Sequence, residues 1–229
     1  MAIPISFLGK LAGIIDGDGY ISVVNVASDS LRKFASISLL ITLIHTELPL
    51  LILIKDTLGI GRIVGPYKNP KGEDTISLIF NKTELQQVLF PLFIYHGIWI
   101  FFKVLTYDRR AQYAKAIFLM EQGLTKMSDL TLLSETIKSK FIFSLPHSPL
   151  GYLNLQISFF TFWVVGTLFS ISEGSFLIKS NLDACFQLKQ RTHIDLFEAF
   201  RILFNTTRTF IITNNSNYSQ FSVSFKKDI

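Results

Sequence analysis

One ordered set of segments occurs twice in this chain, and that repetition limits the available folds more than any single residue does. Residues Ile3–Ile15 form an apolar, glycine-containing stretch that closes on Asp16-Gly17-Asp18-Gly19. The pattern predicts a helix stopped by glycine, which takes the left-handed C-terminal conformation without a Cβ clash. Strands rich in β-branched residues are predicted at Tyr20–Val26 and Lys33–Leu43. Thr46-Glu47-Leu48-Pro49 then opens a helix through Leu58, its acid and proline placed where the first turn favours them. Gly59 ends that helix, and Arg62–Val64 with Thr75–Phe80 read as a hairpin around the polar loop Pro66–Asp74. Asn81-Lys82-Thr83-Glu84 starts a helix that runs up to Pro91, and Trp99–Glu121 and Asp129–Lys140 also read as helical.

Beyond a connector at Lys138–Phe160, which holds Pro146, Pro149 and Gly151, the order returns. Trp163–Ser172 is again an apolar helix with small residues, and it ends in Glu173-Gly174. Strands Ser175–Lys179 and Ala184–Arg191, a helix Ile194–Asn205, a strand Arg208–Ile212, a polar loop Thr213–Ser219 and a strand Gln220–Phe225 follow. The expected fold is α+β, a pseudosymmetric duplication of an αββαββα unit with one antiparallel sheet per copy. The copies are expected at residues 1–137 and 161–229, with residues 138–160 as linker. The stretch after Glu173 is much shorter than its counterpart after Asp18, so the second copy is expected to lack its closing helices.

Composition removes several other classes. The 229 residues are ample for a packed core, and a single cysteine, Cys185, excludes a disulfide framework or a cysteine-based zinc site. The four histidines, His45, His96, His147 and His193, have no metal-binding spacing. A net charge of +5 permits a polyanionic partner. A mean hydropathy of +0.40 with 22 Phe raises a membrane reading. The longest apolar runs, Leu89–Phe102 and Ile157–Ile171, are shorter than the roughly 20 residues a spanning helix needs, and the first contains Pro91 and His96. Met1–Lys10 has no basic segment followed by a long apolar core, so neither a secretory signal nor a membrane association is expected.

The paired acids carry the chemistry. Asp18 and Glu173 each end a helix, where the macrodipole disfavours a carboxylate by roughly 0.3–1 kcal/mol. An acid placed there twice is better explained by a cation than by stability. Gly13 and Gly17 lie on one helical face, as do Gly166 and Ser170, and such small faces let two helix backbones approach closely. A crossing there would bring the two acids together, and paired carboxylates hold Mg²⁺ through oxygen. For one copy alone, Asp18-Gly19 as a simple helix-ending turn is the alternative. A calcium loop is excluded, since its first and twelfth positions would be Ile14 and Asn25. Gly59-x-Gly61-x-x-x-Gly65 is followed by no helix, which excludes a dinucleotide loop.

Residues 11–19 read Leu-Ala-Gly-Ile-Ile-Asp-Gly-Asp-Gly, and at this point the chain resembles the LAGLIDADG homing endonucleases with two motif copies. Phe169-Ser170-Ile171-Ser172-Glu173-Gly174-Ser175-Phe176 resembles the second copy. Leu58–Ile63 with Gly65-Pro66-Tyr67, Asn81–Leu85, Arg109–Gln112 and Phe186–Arg191 are similar to phrases of mitochondrial intron-encoded members. The resemblance implies two sheets forming a DNA-binding saddle with the motif helices at its centre. It further implies two or three Mg²⁺ ions shared by Asp18 and Glu173, with the carbonyls of Gly17 and Ser172 as added ligands. Gln190 falls where the family has a glutamine beside the scissile phosphates, and Lys103, Arg109 and Arg110 are the basic candidates near the first centre. The implied partner is double-stranded DNA at a long asymmetric site, cut by a monomer during intron homing in a mitochondrion. The alternatives are an RNA-binding maturase that serves intron RNA, and a cleavage-inactive remnant of the same fold. Leu168 stands where the aligned motif has a small residue, and overpacking a close crossing costs about 1–3 kcal/mol.

Strand alternation names the side chains expected to face DNA. In the first copy these are Tyr20, Ser22, Val24 and Val26, then Arg32, Phe34, Ser36, Ser38, Leu40 and Thr42, with Arg62, Val64, Lys68, Ser77 and Asn81 from the hairpin. In the second they are Ser175, Leu177, Lys179, Asn181, Gln187, Lys189, Arg208 and Ser222. The polar members can bind phosphates or base edges, whereas Val24, Val26, Phe34, Leu40 and Leu177 are poor hydrogen-bonding readers. An ordinary half-solvated sheet face would show the same pattern.

Overall fold

A computed structural model describes residues 3–29, 32–96, 116, 162, 174–191, 194–207, 211–213 and 218–224. The linker and the helices predicted at Trp99–Glu121, Asp129–Lys140 and Trp163–Ser172 lie outside the described residues, except Ala116, which is helical and buried.

Helix α1 (Ile5–Asp18) buries Leu8, Leu11 and Ile15 and runs straight into β1 (Gly19–Asp29). The helix ends at Asp18, the acid expected at its C-terminal end. No turn separates helix from strand, because Gly19 already pairs with Ile41 of β2 (Arg32–Ile44). A 3-10 turn (His45–Glu47) leads into α2 (Leu48–Leu58), with Pro49 in its first turn and Gly59 as its left-handed cap (φ 68°). Strands β3 (Arg62–Lys68) and β4 (Asp74–Asn81) complete a four-stranded antiparallel sheet in the order β1-β2-β4-β3.

One face of this sheet is the core. Ile21, Ile37, Leu39, Ile41, Ile76, Leu78 and Phe80 are buried, and every one of them occupies the alternate positions of its strand. Leu51, Ile54 and Leu58 repeat at helical spacing on the buried stripe of α2, which packs on β3 and β4. After β4, Asn81 caps α3 (Lys82–Glu84) with a capping box: its side chain accepts from the Glu84 N–H, and Glu84 Oε2 accepts from the Asn81 N–H at 2.7 Å. A π turn over Leu85–Leu89 then passes into α4 (Phe90–Tyr95). The helix predicted to stop at Pro91 therefore continues to Tyr95. Proline has no N–H and crowds the carbonyl four residues back, and the wider turn beside it relieves that conflict.

The second copy repeats the arrangement. Strands β5 (Gly174–Ile178), β6 (Ala184–Arg191), β7 (Ile211–Thr213) and β8 (Tyr218–Ser224) form a four-stranded antiparallel sheet in the order β5-β6-β8-β7. The equivalence is strand for strand with the first sheet. Phe186, Leu188, Phe221 and Val223 line its buried face, and α5 (Ile194–Leu203) buries Leu196, Phe197 and Phe200. Phe204, just past α5, stacks on Phe221. Asn205 adopts a left-handed conformation (φ 49°), and the Thr206 N–H closes the helix end on the Arg201 carbonyl. Arg201 Nε donates to Glu198 Oε1 at 2.6 Å, and that hydrogen bond pushes the guanidinium further into its charged form.

The chain divides into two compact units. Residues 1–8 and 18–144 form one, and residues 9–17 and 145–229 form the other, so the middle of α1 groups with the C-terminal copy. Among the described residues, no helix is long and apolar enough to cross a membrane.

Candidate nucleic-acid interface

The face of the first sheet opposite its core is built from rows that run across the strands. Ser22, Ser38 and Asn81 stand in register as one row. Tyr20, Leu40, Ile79 and Arg62 form the next, spanning all four strands. Thr42, Ser77 and Val64 form a third, in which Thr42 Oγ1 and Ser77 Oγ hydrogen-bond at 2.8 Å. Tyr20 is 50% exposed, and Thr42, Asn81 and Arg62 are exposed as well. The predicted alternation thus places Tyr20, Ser22, Ser36, Ser38, Thr42, Arg62, Ser77 and Asn81 on one face. Val24 lies in β1 opposite Ser36, and Arg32 lies in β2 opposite Asp29.

Lys68 leaves this pattern. A bulge between Val64 and Tyr67 inserts an extra residue at Gly65-Pro66, so Tyr67 pairs with Thr75 and Lys68 with Asp74. The shift gives Tyr67 the parity that counting by twos assigned to Lys68. Lys68 instead forms an ion pair with Asp74 at 3.2 Å, and Tyr67 is 59% exposed. Sequence reasoning missed Tyr67, Thr75 and Ile79. The last two follow from the same alternation that found Ser77, while Gly-Pro inside a strand is the signal for the bulge.

In the second sheet, Ser175 pairs with Gln187, Gln187 with Ser222, and Lys189 with Gln220. Ser175 and Lys189 are exposed and Gln187 is half-buried. Cys185 and Ser224 share that parity but are buried, so the open face narrows at their end. Lys179 and Asn181 lie beyond β5, in the turn: Asn181 Oδ1 accepts the Asp183 N–H at 3.1 Å, and Lys179 Nζ lies 3.8 Å from Asp183 Oδ2. Arg208 lies outside the described residues.

Asp18 is half-buried at the last position of α1, immediately before the first paired residue of the sheet, and Gly17 precedes it in the same turn. Gly13 is buried. The registers align the two copies: Gly19 pairs with Ile41 as Gly174 pairs with Leu188. Asp18 and Glu173 are therefore equivalent in chain position, each preceding the first strand of its sheet. Glu173 and Ser172 themselves lie outside the described residues, as do Lys103, Arg109 and Arg110. Gln190 lies in β6 opposite Ser219, and the same alignment makes Leu43 its counterpart. Among the described residues, no three His, Cys, Asp or Glu side chains cluster as a metal site.

Solved structures share this arrangement over nearly the whole chain. I-SmaMI, solved bound to an uncleaved DNA target in the presence of calcium ions, superposes with a TM-score of 0.63 at 17% identity, over 97% of this chain and 82% of that one. The LAGLIDADG meganuclease I-CpaMI, bound to uncleaved DNA, gives 0.63 at 15% identity, over 94% and 79%. The LAGLIDADG meganuclease I-AabMI, also bound to uncleaved DNA, gives 0.61 at 15% identity, over 95% and 78%. The chain has the LAGLIDADG meganuclease fold. No family model matches the chain. In this LAGLIDADG frame, residues 11–19 are the C-terminal half of α1 and the first residue of β1, so the motif's last acid is Asp18.

Proposed function

We propose that this chain is a site-specific double-strand DNA endonuclease that uses divalent ions held by Asp18 and Glu173. The position of Asp18 carries this reading: a half-buried acid at the unfavourable end of a helix, beside a sheet whose outer face carries Ser22, Ser38, Thr42, Ser77, Asn81 and Arg62. Its carboxylate and the Gly17 carbonyl are hard oxygen donors, the kind Mg²⁺ prefers. Asp18 and Glu173, with the carbonyls of Gly17 and Ser172, would hold the ions. A bound ion of this kind activates water and stabilises the leaving oxygen of an in-line phosphodiester displacement.

The remaining residues bind and align the duplex. Arg62 and Lys189 contribute positive charge to phosphates, while Ser22, Ser38, Asn81 and Gln187 offer donors and acceptors to base edges. Gln190 would stand beside the scissile phosphates. The two faces carry different side chains, Tyr20 and Arg62 on one and Gln187 and Lys189 on the other, so the two half-sites differ in sequence. One chain supplies both faces, which suits a monomer on a long asymmetric site. Intron homing in a mitochondrion is the setting that fits. That I-SmaMI was solved on DNA with calcium ions supports an oxygen-donor metal site here.

The test is selection of cleaved duplexes from a randomised-site library by the purified chain in Mg²⁺. The expected result is one family of related sites cut on both strands. A chain that unfolds cooperatively on heating yet cuts no duplex at any Mg²⁺ concentration would overturn the enzyme reading. Preferential binding of intron RNA over duplex DNA would favour the maturase instead.

A further inference from the structure

The geometry points to a thymine-reading strip on the first sheet: Leu40 and Ile79, flanked by Tyr20 and Arg62, contact the 5-methyl groups of thymines in the major groove. This rests on the DNA-binding reading above and adds the base class that one row of the face selects. The four residues are directly opposite one another across all four strands. Neighbouring strands lie about 4.8 Å apart, so the row is roughly 14 Å long, comparable with the width of a major groove.

Leu40 and Ile79 sit side by side at the centre of a face that is mostly polar around them. The row on one side carries Ser22, Ser38 and Asn81, and the row on the other carries Thr42 and Ser77, with Val64 at its end. The core does not account for them, since it lies on the other face, where Leu39, Leu78 and Phe80 are fully buried. Leu40 and Ile79 are only half-buried, and Tyr20 beside them is 50% exposed. An open depression of about 780 Å³ lies over Ser38, Leu40, Ile79 and Arg62, with Asn81 and Lys82 also lining it. Apolar side chains in such a place gain stability only when something covers them.

The charges say what covers them. Arg62 ends the row, and Lys82 lines the depression together with Glu84, whose carboxylate is held by the Gly61 and Asn81 N–H groups. Positive charge outweighs negative there, so the occupant presents an apolar group within a field suited to a polyanion. In the major groove one base alone offers such a group, the 5-methyl of thymine. Arg62 then meets a neighbouring phosphate or a guanine edge, and the flanking hydroxyls and Asn81 meet polar edges. Residues that are poor hydrogen-bonding readers thereby acquire a reading role.

The experiment starts from duplexes selected for binding by the intact chain from a randomised library. Each thymine of the recovered site is replaced in turn by deoxyuridine, which removes the methyl and leaves base pairing unchanged. One or two positions in one half-site should lose about fourfold in affinity, the value of one buried carbon. Leu40→Ala and Ile79→Ala should bring the thymine-to-uracil ratio at those positions close to one, while Ser77→Ala leaves it unchanged. The ratio is measured on one protein with two duplexes, so a change in stability cancels from it. A recovered site with no methyl-sensitive position overturns the strip, as does a sensitivity that survives both substitutions. Failure to recover any duplex overturns the DNA reading itself, and the strip with it.

Discussion

Thr42 Oγ1 and Ser77 Oγ hydrogen-bond at 2.8 Å across β2 and β4, on the solvent-facing side of the first sheet. An exposed bond of this kind contributes little to folding, about 0.5–1.5 kcal/mol net. Thr42→Val keeps the β-branched shape and removes the hydroxyl. Its unfolding midpoint should fall by a few degrees at most, whereas affinity for the selected duplex should drop severalfold, because the hydroxyl pair is then lost from the interface. Thermal unfolding and duplex titration on the same preparation separate the two effects. Equal losses in both would mean the pair serves the sheet alone.

Gly59 and Gly61 make a paired prediction about stability. Both have positive φ, 68° and 90°, which costs a side chain strain. A Cβ at Gly59 meets nothing within 4 Å, so Gly59→Ala should cost about 1 kcal/mol. A Cβ at Gly61 would lie 2.8 Å from Phe80 Cε1 and 2.9 Å from Leu78 Cδ1, both fully buried and unable to retreat. The Gly61 N–H also donates to Glu84 Oε1 at 3.0 Å, tying β3 to the capping box. Gly61→Ala should therefore cost about 2–4 kcal/mol. Denaturant unfolding of the two variants checks the order, and a reversed order would contradict the packing described around Phe80.

Much of this was legible before the structure. A strand with one buried face must alternate, so Leu39 and Leu40 already had to point opposite ways, and Gly59 could only end a helix. The same period made the open face countable from Asp18. What escaped depended on single insertions and on tertiary contacts. The bulge at Gly65-Pro66 moves one residue out of phase and exchanges Tyr67 for Lys68 on the open face. The π turn before Pro91 lets a helix continue where proline ordinarily stops it. Asp183, in a turn beside Asn181, resembles a solvated loop acid, yet it is 1% exposed. The place of Asp18 at the end of the first motif helix was legible as well, because the motif spacing survives in sequence without any three-dimensional information.

Asp183 is a structural pin. Its carboxylate accepts a hydrogen bond from Ser224 Oγ on β8 and lies 3.8 Å from Lys179 Nζ, so it fastens the β5–β6 turn to the last strand. Removing a buried, hydrogen-bonded charge strands its partners. Asp183→Ala should cost about 2–4 kcal/mol, and Ser224→Ala less, since the carboxylate keeps Lys179. Thermal unfolding of the two variants checks this ordering. An Asp183→Ala protein as stable as the parent would show that the carboxylate carries no such load.

Cleavage and binding measured together for Asp18→Asn on the selected duplex decide whether Asp18 holds a catalytic cation. The substitution preserves size and removes the charge that would hold a cation at the end of α1. Strand cleavage in Mg²⁺ should fall at least about a thousandfold, a transition-state loss of roughly 4 kcal/mol, while duplex affinity without Mg²⁺ stays within a few fold of the parent. Cleavage at the parent's rate by Asp18→Asn would contradict that role.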